Sequence, residues 1–142
     1  MAFTFQNSDV TFKLKGKTKI KRWLNQIILN QKKQAGEINY VFTSDAELLK
    51  YNQNYLNHNT YTDIITFDNS EWPVISGDII ISTERVNENA ANFKVPFENE
   101  LQRVMAHGLL HLLGFKDKSK KDILEMREQE AKALKLFNRM DK

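Results

Sequence analysis

Apolar residues along this chain switch repeatedly between two periods, and each switch predicts an element. Phe3, Phe5, Val10, Phe12 and Leu14 have polar residues between them, a period of two that predicts one or two short strands over 2–14, around a turn at Asn7-Ser8-Asp9. From Thr18 to about Lys33 the period lengthens. Ile20, Trp23, Leu24, Ile27 and Ile28 share one helical face, lysines and an arginine the other, and Gly36 is the expected stop. Glu37–Thr43, β-branched and aromatic, reads as a strand. Ser44 with Glu47 three residues on has capping-box spacing and opens a helix over 45–57, with an apolar stripe of Leu48, Leu49, Tyr51, Tyr55 and Leu56. A polar loop follows at Asn57-His58-Asn59-Thr60.

Asp63–Phe67 and Gly77–Ser82 read as two more strands, joined by a hairpin-like linker carrying Asn69, Ser70 and Pro73. A short helix is expected over 83–92. Val95-Pro96 breaks the pattern, and Pro96 precedes the main helix, expected over 97–113. Ser119 with Asp122 caps a last helix that runs to about Phe137. This order predicts an α+β fold with one small sheet of about four strands, mixed or antiparallel, and helices packed on it. The main helix offers Phe97, Leu101, Val104, Met105, Leu109 and Leu112 to the core, so it should be largely buried, a stiff platform for a metal site at its end.

Composition narrows the chemistry. The 142 residues suit one domain, 1–142, with no repeat or dividing linker. There are no cysteines, so disulfides, thiolate metal sites and cysteine nucleophiles are excluded. No apolar run approaches the ~18–20 residues of a membrane span. The first residues lack a basic stretch followed by an apolar one, so a cytoplasmic location is expected. The net charge of +3 is a weak pointer to a polyanion. Its distribution says more: lysines stand at 13, 15, 17, 19 and 21, with Arg22, and again at 116, 118, 120 and 121. A solvated lysine face explains either group alone equally well.

The most informative stretch is Ala106–Asp117, AHGLLHLLGFKD. On a helix, His107 and His111 are one turn apart on one face, with Cβ atoms about 5–6 Å apart, near enough to share an ion that binds imidazole at about 2.0–2.1 Å. Gly114 allows a left-handed exit from the helix, and the turn can bring Asp117 back to the same point. Three protein ligands leave one position for water, the pattern of a catalytic zinc. The spacing overlaps the long zincin motif, in which a Glu after the first His is the general base. Here that residue is Gly108.

His107-Gly108-x-Leu110-His111-Leu112-x-Gly114-Phe115-x-Asp117 resembles the signature of the YbeY-type endoribonucleases, ribosomal RNA maturation factors whose motif normally reads His-Gly-x-Leu-His-Leu-x-Gly-(Tyr/Phe)-Asp-His. Tyr55-Leu56-Asn57 followed by Thr62–Phe67 resembles the family's Leu-Asn … Thr-Asp-Val-Leu-Ser-Phe, and Gly77–Ser82 its Gly-Asp-Ile-x-Ile-Ser strand. The resemblance implies one zinc ion on His107, His111 and Asp117, the last in place of the usual His. It also implies a metal-dependent, single-strand-specific endoribonuclease acting in ribosomal RNA maturation, notably at the small-subunit 3′ end, and in ribosome quality control. The small ribosomal subunit, and with it a ribosome-assembly GTPase, are the implied partners. The family's loop arginine has no counterpart in His58-Asn59-Thr60-Tyr61. His58 is the nearest candidate for a phosphate contact or proton transfer, alongside His107 and His111 as catalytic residues. Two other readings stay open: a zincin-like metalloprotease, and a zinc-stabilised ribosome-assembly binding protein with little catalysis.

Overall fold

Two β-isoleucine runs and one apolar helix decide how this chain packs. The computed structural model describes residues 2–55 and 63–140. The elements run β1 (Phe3–Asn7), α1 (Lys17–Asn30), β2 (Gln34–Thr43), α2 (Asp45–Tyr55), β3 (Ile64–Asp68), β4 (Val74–Ser82), α3 (Thr83–Phe93), α4 (Phe97–Leu112) and α5 (Lys120–Arg139). The four strands form one mixed sheet in the order β1-β2-β4-β3. β1, β2 and β4 are parallel, and β3 joins the edge antiparallel to β4 through the expected hairpin.

The sheet's two faces differ. Ile38, Tyr40 and Phe42 of β2 and Ile75, Ile79 and Ile81 of β4 point into the main core with α1, α4 and α5. Ile80, on the opposite face of β4, packs with Ile65 and with Leu48 of α2 in a smaller cluster. β4 is therefore buried on both sides, which is why its sequence is a continuous isoleucine run rather than an alternation. Every member of the α1 stripe, Ile20, Trp23, Leu24, Ile27 and Ile28, is buried as its spacing predicts. Trp23 also donates its indole N–H to the Ala133 carbonyl at 2.8 Å, tying α1 to α5.

Two expectations fail for physical reasons. Residues 10–14 are not a second strand: Val10 and Phe12 pack against the core from an irregular segment. Period-two alternation here reports burial without strand pairing. Gly36 is not the stop of α1 either, since it lies inside β2 beside the register shift between Ala35 and Ile38. A Cβ there would collide with Ser76 Oγ, so this glycine admits β4. The helix instead ends with Lys32 in the left-handed region (φ 61°). The Ser44 cap forms half as expected. Its hydroxyl accepts from the Glu47 N–H at 3.2 Å, while Ser44's own N–H goes to Asp9 Oδ1 at 2.9 Å rather than to Glu47.

α4 crosses the sheet as the predicted buried platform. Leu101, Val104, Met105, Leu109 and Leu112 are all buried, each burial contributing about 1.5–3 kcal/mol. Tyr40 donates from the sheet to the Met105 carbonyl at 2.9 Å, fixing the helix just before His107. Complete burial pushes the Tyr40 phenol well above its ordinary pKa, so it stays a donor.

Candidate metal centre

Leu110, His111 and Gly114 close the C-terminal end of α4. Gly114 has φ 99°, its N–H reaches the His111 carbonyl at 3.0 Å, and the Phe115 N–H reaches Leu110 at 3.0 Å. This Schellman pair needs a left-handed residue at position 114, which glycine supplies without Cβ strain. The turn then returns Asp117 over the last turn of the helix, as its spacing predicts.

The three side chains meet. His107 Nε2 and His111 Nε2 are 3.0 Å apart, Asp117 Oδ2 lies 3.3 Å from His111 Nε2 and 3.4 Å from His107 Nε2. One ligand atom from each lies within 4.8 Å of the others. In a tetrahedral site with bonds of about 2.0–2.1 Å, ligand atoms are separated by about 3.3–3.4 Å. Three donors thus already sit near the edge lengths of one tetrahedral face, with the two imidazoles at 77° to one another. Burial, then the neighbouring His107, lowers the His111 pKa, partly opposed by Asp117. Neutral imidazole is the form that offers a lone pair to a cation.

Behind His107 lies a layer the motif does not reveal. Its Nδ1 is 2.6 Å from Glu130 Oε2, a residue of α5 with 7% of its side chain exposed. A carboxylate on the far ring nitrogen fixes the tautomer that leaves Nε2 free for a metal. Glu130 Oε1 accepts from Arg103 at 3.1 Å, and Arg103 is also held by both oxygens of Glu100, at 2.9 and 2.7 Å. Asp63, just before β3, lies 3.9 Å from the same guanidinium. Burial alone would raise the Glu130 pKa, but the His107 hydrogen bond and the Arg103 charge outweigh it and the net shift is downward. For Asp63 burial prevails over Arg103 and His107, and its pKa is raised.

Sequence reasoning missed Glu130 and Arg103. Glu130 is remote in sequence and hides among the charges of α5. Its one legible sign was an acid on the helical face that carries the buried Met126 and Ala133. Arg103 does not replace the family's loop arginine, because buried carboxylates already engage it. His58, the other candidate, lies outside the described residues. Lys116, Lys118, Lys120 and Lys121 are all exposed around the turn and the start of α5.

Gly108 has a structural role. A Cβ there would meet Ile79 Cγ2 at 2.7 Å and Ile64 Cδ1 at 2.8 Å. The position faces the sheet, away from His107, and cannot hold the glutamate base of a zincin.

Fold and donor geometry together define a class: small α+β proteins able to hold one metal ion at the end of a buried helix. Within it the comparisons are specific. The model of the family described as Endoribonuclease YbeY matches residues 2–138, and the chain belongs to that family. It is 53% identical over 132 residues to Endoribonuclease YbeY of Flavobacterium psychrophilum, covering 93% of this chain and 94% of the relative. With its namesake in Flavobacterium johnsoniae the identity is 47%, covering 93% and 95%. The solution structure of TM1509 from Thermotoga maritima superposes with a TM-score of 0.65 at 26% identity, over 95% of this chain and 88% of that one.

Proposed function

We propose that this chain is a metal-dependent endoribonuclease of ribosomal RNA maturation, acting as one domain over residues 1–142, with a single zinc ion on His107, His111 and Asp117. The observation that carries the site is the triangle of donor atoms at 3.0, 3.3 and 3.4 Å. Two imidazoles and a carboxylate suit Zn²⁺, and Asp117 in the place of the usual third His keeps the donor count. Family membership supports RNA as the substrate. We further assign to it single-stranded RNA at the small-subunit 3′ end, a role in ribosome quality control, and contacts with the small subunit and an assembly GTPase.

When bound, the cation supplies the Lewis acidity that acidifies a water and polarises a phosphoryl oxygen. Everything else falls to the chain. His107 and His111 present lone pairs from a helix that cannot shift without unpacking the core. Glu130 holds the His107 tautomer. Exposed Lys116 and Lys118, flanking Asp117, meet the phosphates as point charges, so affinity falls steeply with salt. His58 is assigned to a phosphate contact or proton transfer. The test is metal analysis and cleavage of single-stranded RNA by wild type, His111→Ala and Asp117→Ala. Both variants should lose bound metal and cleavage while keeping their far-UV circular dichroism. Full cleavage with full metal content in either would overturn the site.

A further inference from the structure

Trp72 sits at the tip of the β3–β4 hairpin with 54% of its surface exposed. Scattered surface apolar residues are ordinary, so exposure alone carries nothing. Its surroundings do. The ring edge rests on the turn after α4: an atom at the Cβ position of Gly114 would lie 3.6 Å from Cη2 and 3.8 Å from Cζ2 of the indole. Gly114 stands midway between two proposed metal ligands, three residues after His111 and three before Asp117. Above the ring, Lys33 places its ammonium 5.3 Å from the centroid, steadied by the Gln31 carbonyl at 3.4 Å. Exposed Lys116 follows two residues after Gly114. An exposed indole with a cation over its ring, resting against the turn that leads to Asp117, has the composition of a single-strand stacking platform. There the aromatic face takes a base and the cations take the flanking phosphates.

We propose that Trp72 is a base-stacking residue that holds one unpaired nucleotide of single-stranded RNA beside the metal centre, with Lys33 and Lys116 on its backbone phosphates. The proposal rests on the endoribonuclease reading and adds a binding subsite to it. It accounts for a single-strand preference in physical terms, because a paired and stacked base has no free face to offer the indole.

The chain has two tryptophans, and Trp23 is fully buried, so quenching of indole fluorescence by a ligand reports Trp72. A single-stranded 2′-O-methyl oligoribonucleotide, its integrity checked on a gel, should quench the wild type and leave Trp72→Phe unquenched. Anisotropy of the labelled oligonucleotide should show Trp72→Phe binding near wild-type strength and Trp72→Ala about 30-fold more weakly, mid-range for one base–aromatic stack. In cleavage of unmodified RNA, Trp72→Ala should raise KM by a similar factor with kcat nearly unchanged, and Trp72→Phe should restore most of it. Absence of quenching at saturating oligonucleotide, or an unchanged KM in Trp72→Ala, overturns the stacking role while cleavage by wild type stands. A wild type that neither binds nor cleaves RNA removes the parent reading, and the subsite with it.

Discussion

Replacing Gly108 with alanine separates two opposite physical expectations. In an exposed helix the change stabilises by about 1 kcal/mol, since glycine is the poorer helix former. Here the new methyl would lie 2.7 Å from Ile79 Cγ2 and 2.8 Å from Ile64 Cδ1, where ordinary contact begins at 3.4 Å. Ile64 Cδ1 is a chain end and can rotate away. Ile79 Cγ2 sits on a branched Cβ in a fully buried residue of the central β4 strand. The helix must therefore rise by roughly 0.5 Å, an overpacking cost of about 1–3 kcal/mol. The net is about 1 kcal/mol of destabilisation, a fall in Tm of about 2–4 °C for a domain of this size. The same lift carries His107 away from Glu130 on α5, so zinc affinity should drop together with stability. Thermal unfolding with and without zinc, followed by a zinc titration, reads both. A Tm equal to or above wild type would refute the close packing of α4 on the sheet.

The layer behind His107 predicts a selective defect. Glu130→Gln should weaken zinc binding about 10- to 100-fold, measured against a chromophoric chelator. The fold should be kept, because Arg103 retains its paired bonds to Glu100; unchanged affinity would sink the orienting role. Asp9 predicts a pH effect. Hydrogen bonds from the Ser44 and Thr43 hydroxyls, partly opposed by burial, lower its pKa from 3.8 to about 2. A carboxylate depressed on folding contributes stability that is fully present above its unfolded pKa and lost as pH falls through the folded one. The Tm gap between wild type and Asp9→Asn should therefore close between about pH 4 and pH 2, and a gap constant over that window would contradict the Asp9–Ser44 link.

How much of this was legible in the sequence depends on how local the cause is. The α1 stripe, the isoleucine strands, the α4 platform, the Ser119 cap and the His107–Asp117 return all follow from spacing within about a dozen residues, and they were readable. Four features were not. Val10 and Phe12 alternate like a strand, but whether a partner strand lies beside them depends on the order of the sheet. Gly36 looks like a stop because its real partner, Ser76, is 40 residues away. Glu130 and Arg103 belong to a network whose members come from α4, α5 and the residue before β3, and charges on an exposed-looking helix carry no mark of such a pairing. Gly108 was read as the loss of a base, whereas its meaning lies in the isoleucines it meets.

All three donors fall within the eleven residues from His107 to Asp117. A cation held there cross-links no distant parts of the fold, and an unfolded chain still carries the same donors in one short, flexible chelate. Its contribution to folding is only the difference between the native and the denatured affinity. What the native state adds is Glu130, brought from α5 to fix the imidazole, together with the rigidity of α4. Metal removal should leave this fold standing, and chelation by denatured chains will blunt any gain in Tm from added zinc.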